Sequence, residues 1–309
     1  MLHDLGIDAS ILSLGARVDR LEARTRGSTA ILDLSYGEVE PGSFGIGLHR
    51  SVLLGAVVDA LGSASVPVHW GRECTGMEQT NRGWILRDAG GDDLGEYDLV
   101  VVADGAHSSL RAATGIPNRV REYPWGAWWL VAEDRDHSFR DDVLFQAVDG
   151  TRTLAGALPT GRLSADGHPL MSIFWSVRMR DSALRRHGGL DLLARRLGEV
   201  LPAAVPLLDQ VTSIHDLPEA RYLDVRASPW AGDRVVLLGD AGHAMSPQLG
   251  QGVNLGLVDA YTLAHCLDGC PSVAGALAEY SRMRRWHLGY YQVATRWLCL
   301  LYTSPSPRD

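Results

Sequence analysis

The chain has 309 residues, 46% hydrophobic and 21% charged, with a formal net charge of −8. That is ordinary globular composition, long enough for two domains, and the acidic balance argues against a nucleic-acid partner. No apolar run approaches the ~18 residues of a membrane span, MLHDLGIDAS is not a signal peptide, and Cys74, Cys266, Cys270 and Cys299 have no metal-ligand spacing. A disulfide framework is not expected, which fits a reducing cytoplasm.

In chain order, residues 1–26 read as helical, with charge gathering toward their end. ILDLSYG (31–37) reads as a short strand and a loop. HRSVLLGAVVDALG (49–62) has apolar residues at 52, 53, 54, 57, 58 and 61, the spacing of an amphipathic helix. Residues 67–105 read as strands: VHW, then WILRD after a turn at Asn81-Arg82-Gly83, then YDLVVVADG after a Gly-Gly turn. LVVVA is continuously apolar, as expected of a parallel strand covered on both faces. Between 123 and 178 the texture becomes that of an antiparallel sheet: WGAWWLVAE, VLFQAVDGTRTLAGALP and LMSIFWSVR, with Asp149-Gly150 as a hairpin signal. LDLLARRLGEVL (190–201) is helical, RVVLLGD (234–240) is again a buried parallel strand, and helices follow at 251–267 and 273–298. This order predicts an α/β domain interrupted at 118–221 by an antiparallel sheet, which supplies a second wall for a ligand cleft.

Two strand ends carry the chemistry. In VVVADGAHSSLR (100–111), Asp104 stands at the carboxyl end of a buried strand, where ligands of open α/β sheets bind. An aspartate there also serves as a plain helix N-cap, and the residues alone leave both readings open. In GDAGHAMSPQLGQGVNLG (239–256), Asp240 ends the second buried strand and Pro247 stiffens the loop. Gly250 and Gly252 permit close backbone approach to a ligand, and the helix that follows offers free N–H groups and a positive dipole end. No basic side chain accompanies them, so partial or delocalised negative charge suits this end as well as phosphate does. The dinucleotide fingerprint G-x-G-x-x-G is absent; Gly250-Gln251-Gly252-Val253-Asn254-Leu255-Gly256 has one residue too many.

These strings resemble the class A flavoprotein monooxygenases of the para-hydroxybenzoate hydroxylase type. The 239–260 string is similar to that family's GD motif, VVADGAHSSLR to its DG motif, and GLHRSVLLGAVVDAL (47–61) to its segment with a flavin-contacting arginine. The three stand in the family's order, over residues 1–298. The resemblance implies an FAD-binding, Rossmann-like α/β domain at 1–117 and 222–270, incomplete, with an inserted antiparallel sheet that forms the substrate domain at 118–221 and a helical segment at 271–298. It implies that Asp240 hydrogen-bonds the ribityl chain and that Pro247 lies against the reactive side of the ring. Gly250, Gly252, Val253 and Asn254 would address the pyrimidine edge. Arg50 would lie near the phosphate and ribityl region, and Asp104 would serve FAD and NAD(P)H. Trp128, Phe174, Trp175 and Arg178 are candidates for the substrate side; core or surface packing is their plainer reading. His243 is a tempting acid or base, equally read as structural.

The family opens on a βαβ unit with G-x-G-x-x-G, and MLHDLGI resembles the segment downstream of it, so an amino-terminal unit is expected to be missing. CLLYTSPSPRD (299–309) resembles a translated sequencing adapter; a Ser/Pro-rich tail is the alternative. The expected activity of the parent protein is NAD(P)H- and O2-dependent oxygenation of a small organic or aromatic substrate in the cytoplasm. A related flavin-dependent reductase or halogenase, or a fragment unable to hold FAD, are the alternatives.

Overall fold

The computed structural model describes residues 1–149 and 153–303. In chain order the elements are α1 (Asp8–Leu14), β1 (Ala16–Val18), β2 (Arg20–Thr25), β3 (Ala30–Ser35), α2 (Tyr36–Val39), β4 (Gly45–Gly47) and α3 (Arg50–Ser63). Four strands follow: β5 (Cys74–Gln79), β6 (Trp84–Asp88), β7 (Asp93–Tyr97) and β8 (Val100–Val102). Then come β9 (Asn118–Glu133), β10 (Val143–Asp149), β11 (Thr153–Gly161), β12 (Leu170–Arg178), α4 (Met179–Arg186) and α5 (Gly189–Val200). The chain continues through β13 (Glu219–Ala227), β14 (Ala231–Gly232), β15 (Val235–Leu237), α6 (Asp240–His243), α7 (Gly252–Gly269) and α8 (Val273–Thr303).

Contacts divide the chain into two units. One holds Met1–Val68 and Pro124–Arg221, the other His69–Tyr123 and the described residues from Tyr222 onward. The first 68 residues therefore group with the antiparallel sheet and not, as expected, with the segment up to 117.

Within the first unit the strands β9, β12, β11, β10, β2 and β3 lie side by side in that order. β9 through β12 and β2–β3 pair antiparallel, while β10 and β2 run parallel. Successive strand side chains point to opposite faces. On β12 this sends Met171, Ile173, Trp175 and Val177 into a core with Trp128, Ala155, Ala157 and the α5 residues Leu193 and Leu197. Ser172, Phe174, Ser176 and Arg178 take the other face.

Three expectations change in this unit. Residues 1–26 are helical only over Asp8–Leu14. From Ala16 the chain is strand, with Val18 and Ala23 buried, and the charges noted toward the end are strand pairs: Arg20 donates to Asp33 across β2 and β3 at 2.5 Å. The 49–62 helix forms as α3, yet none of its residues is buried. Its apolar positions, with Ala56 and Ala60, wrap most of its circumference, and among the described elements α1 packs on it. The Asp149-Gly150 hairpin signal falls between β10 and β11, but Gly150 lies outside the described residues.

In the second unit β15 and β8 are parallel neighbours, Val235 opposite Val100 and Leu237 opposite Val102, with β14 antiparallel on β15. Val100, Val102, Val235, Val236 and Leu237 share a core with Leu255 and Leu263 of α7 and with Leu277, Tyr280 and Leu288 of α8. β8 is covered on one face only: Val101 is 44% exposed. VHW is not a strand. Trp70 is largely exposed, and the meander begins at Cys74, where β5 pairs with β6 across the turn closed by Thr80 N–H to the Gly83 carbonyl, 2.8 Å. α8 runs to Thr303 and takes in the first residues of CLLYTSPSPRD; the residues from 304 lie outside the described ones.

Candidate functional site

The strand β15 ends in a turn that only glycine makes comfortably. Gly239 has φ 55° and ψ −138°, a region barred to side-chain-bearing residues by steric clash. Leu238 N–H still bonds the Val102 carbonyl at 2.9 Å, so the reversal follows at once on the last sheet bond. After Gly239 one helical turn, α6, buries Ala241, Gly242 and His243 and leaves Asp240 outside. The Asp240 carboxylate has no hydrogen-bond or ion-pair partner among the described residues.

The loop then passes through a short turn at Pro247–Leu249, reverses at Gly250 with φ 62°, and enters α7 at Gly252. No side chain caps α7; the Gln251 at its start makes no capping bond. The first intrahelical bond is from Leu255 N–H to the Gln251 carbonyl, 2.9 Å, so the N–H groups of Gly252, Val253 and Asn254 stand without an intrahelical acceptor. A Cβ on Gly252 would lie 3.9 Å from Asp240 Oδ1. An anionic acceptor and a row of free donors thus share one surface, with Pro247, Gly250, Val253 and Asn254 all exposed beside them.

The two strand-end motifs are tied together by a residue that is not among the candidates read from the sequence. Arg111, 6% exposed, donates from Nε to the Ala241 carbonyl at 2.6 Å, and from Nη2 to the carbonyls of Gly105 at 3.2 Å and Ala106 at 2.7 Å. Burial pushes its pKa down, and the charge of Asp104 opposes that. The signal is present in DGAHSSLR, whose terminal arginine stands seven residues past the aspartate. Asp104 itself acts as the turn cap the sequence allowed: its Oδ2 accepts from Ser109 N–H at 3.0 Å and Leu110 N–H at 3.3 Å.

Beneath the loop lies a buried polar cluster. His243 Nε2 is 2.5 Å from Asp259 Oδ2, and Arg284 Nε donates to Asp259 Oδ1 at 2.6 Å. Burial alone would raise the pKa of Asp259; the hydrogen bond and charge of His243, the Arg284 guanidinium and the Gly239 N–H outweigh it and hold the pKa below the usual carboxylate value.

In the first unit, Arg50 opens α3 with its side chain exposed, behind His49, whose Nδ1 accepts from Ser51 N–H at 3.3 Å. The four aromatic-sheet candidates separate by strand alternation. Trp128 and Trp175 are 3% and 5% exposed and lie in the core, Trp128 Nε1 donating to Ser182 at 3.2 Å. Phe174 and Arg178 point to the opposite face. There Phe174 meets Trp129, which is not among the candidates read from the sequence, with ring centroids 5.3 Å apart. The Phe174 ring lies over Gly156, where a Cβ would come within 2.1 Å of it. Arg178 sits over the Trp125 ring at 4.9 Å. Register pairs Phe174 with Trp129 and Trp175 with Trp128, so adjacent aromatics on one strand could never share a face.

Residues 1–287 match the family described as "FAD binding domain". The chain belongs to this family, and its relatives are class A FAD-dependent monooxygenases. It is 32% identical over 253 residues to a kynurenine 3-monooxygenase of Salinispora arenicola, covering 77% of this chain and 54% of that relative. It is 28% identical over 303 residues to a 3-amino-4-hydroxybenzoate 2-monooxygenase of Streptomyces cremeus, covering 92% and 70%. The chain thus spans about half the length of the first of these relatives. Among solved structures, Pseudomonas aeruginosa PqsL in complex with 2-aminobenzoylacetate superposes with a TM-score of 0.82 at 22% identity, over 98% of this chain and 83% of that one. Klebsiella pneumoniae HpxO with FAD and uric acid gives 0.80 at 22%, over 99% and 78%. At those identities the structures establish the shared fold.

FAD is the family's cofactor, and the residues of the loop fit it. A flavin ring presents carbonyl oxygens along its pyrimidine edge and carries a hydroxylated chain at its centre. The first need donors and the second an acceptor, and the open α7 terminus and the unpaired Asp240 carboxylate supply both. No helix among the described residues is long and apolar enough to cross a membrane.

Proposed function

We propose that the chain is the flavin- and substrate-handling portion of an FAD-dependent monooxygenase that uses NAD(P)H and O2 to oxygenate a small aromatic substrate. The observation that carries this reading is the uncapped start of α7 beside the uncommitted Asp240 carboxylate. FAD, when bound, supplies the redox and oxygen chemistry. The chain's own residues bind and orient. Asp240 accepts from the ribityl hydroxyls. The N–H groups of Gly252, Val253 and Asn254 donate to the pyrimidine edge, where the helix end favours negative charge on the reduced ring. Pro247 and Gly250 would shape the loop beside the ring, Arg50 would serve the phosphates, and Asp104 holds its turn.

The relatives act, by their names, on kynurenine and on an aminohydroxybenzoate, and both carry a ring and a carboxylate. The tilted ring pair Trp129–Phe174 suits a planar ring, and Arg178 on the same face suits the carboxylate. A cytoplasmic setting belongs to the same reading; Cys74, Cys266 and Cys270 are free thiols.

The test supplies the full chain with FAD, NADH or NADPH, and an aminated or hydroxylated benzoate under 18O2. The expected product carries one 18O atom, with NAD(P)H consumed. Oxygen-independent reduction of the substrate would overturn the monooxygenase reading.

A further inference from the structure

The carboxylate of Asp259 is the most fully enclosed charge among the residues around the loop, and the proposed chemistry does not use it. It sits in α7, 0% exposed, with His243 at 1% and Arg284 at 4%. Three elements converge on it. Its Oδ2 accepts from Gly239 N–H at 2.9 Å and meets His243 Nε2; its Oδ1 takes Arg284 Nε from α8. Arg284 is fixed in turn by the Leu255 carbonyl at 3.4 Å and by His287 Nδ1 at 2.6 Å.

Burying an ion pair is a poor route to stability, since desolvation cancels most of the attraction and an apolar core of equal volume does as well. Apolar residues dominate the core here, with Leu255 and Leu263 on the same helix, and a further polar neighbour is the buried Tyr280 hydroxyl, whose pKa burial and the Asp259 charge push up. A leucine at 259 would fill the space. It would not accept the Gly239 N–H, and that bond fixes the one peptide whose unusual turn sends Asp240 outward while its successors are buried. The same side chain belongs to the helix whose first turn carries Gly252, Val253 and Asn254. Gly239 and Gly256 approach backbone to backbone, a Cβ on either lying 3.7 Å from the Cα of the other. One carboxylate therefore sets the spacing between the acceptor of the loop and its row of donors, two groups far apart in sequence.

We propose that Asp259, with His243 and Arg284, is a positioning network that holds Asp240 and the start of α7 in register for the flavin. This rests on the flavin-binding reading above. The network touches no ligand; it acts through Gly239 and through α7.

The experiment compares the full-length wild type with Asp259→Asn, His243→Phe and His243→Gln. Flavin affinity is read from quenching of riboflavin and FAD fluorescence, the geometry of the bound ring from its visible circular dichroism, and the fold from far-ultraviolet dichroism. Asp259→Asn keeps the shape and weakens the acceptor. It is expected to lower flavin affinity about tenfold, the size of one charge-assisted hydrogen bond, and to change the visible dichroism of the flavin that still binds. His243→Phe is expected to act in the same direction with the fold retained, and His243→Gln, which can still donate to Asp259, to recover most of the loss. If Asp259→Asn does not fold, the His243 pair decides. Folded variants that bind flavin with wild-type affinity and wild-type visible dichroism would overturn the proposal and leave the flavin reading standing. A wild-type chain that binds no flavin would overturn both.

Discussion

Replacing Asp240 by alanine is expected to weaken flavin binding by at least about tenfold and to leave the fold unchanged. Hydrogen bonds to a charged acceptor contribute roughly 1.5–3 kcal/mol, and about 1.4 kcal/mol is a factor of ten in affinity. The carboxylate has no partner among the described residues, so nothing inside the chain is orphaned by its loss. Its nearness to Gly252 places an anion by a helix start, which contributes less than about 1 kcal/mol at an exposed site. The backbone bond from Ala244 N–H to the Asp240 carbonyl is indifferent to the side chain. Equilibrium titration followed by flavin fluorescence reads the first effect, and a thermal melt the second. Asp240→Asn, which keeps an acceptor without the charge, should fall between the two.

The substitution expected to damage the fold most is Gly47→Ala. Gly47 ends β4 and pairs with Ala16 of β1. A Cβ there would stand 1.7 Å from the Pro159 carbonyl oxygen of β11. That neighbour is backbone in the middle of the sheet, so relief requires β4 and β11 to separate. Overpacking of this kind costs typically 1–3 kcal/mol and occasionally more; about 4 kcal/mol is expected here because no side chain can move aside. The melting temperature should drop by about 6 °C. β4 leads within three residues to Arg50, so the displacement also reaches a candidate phosphate contact. Gly55→Ala is the control: it lies mid-helix in α3 with nothing within 4 Å of a new Cβ, and alanine there should stabilise by up to about 1 kcal/mol.

The parts of the fold most readable in the sequence were those in which one local rule acts alone. RVVLLGD gave a buried strand because β15 is covered on both faces, with Val235, Val236 and Leu237 all fully buried. The loop 239–256 was readable because positive φ at Gly239 and Gly250 restricts those positions to glycine. The amino-terminal strands were not, because β2 finds its partner β10 some 120 residues downstream, and short charged runs carry little period of their own. For the same reason CTGMEQ, with no β-branched alternation, hid β5. On the sheet, residue type picked out the aromatics, but only register separates Trp128 and Trp175, which hold the core, from Phe174 and Trp129, which do not. Arg111 and Asp259 are not legible as site residues in the sequence because each acts on backbone groups brought near by the fold.

The central claim is that the 239–254 loop addresses a flavin ring and its ribityl chain. Riboflavin carries those two parts and neither phosphate nor adenosine. Its fluorescence should therefore be followed as it is titrated against the full chain and against Asp240→Ala. Saturable quenching by the wild type, weakened at least about tenfold in the variant, is the predicted result. Absence of saturable quenching, or equal quenching by both proteins, would contradict the account.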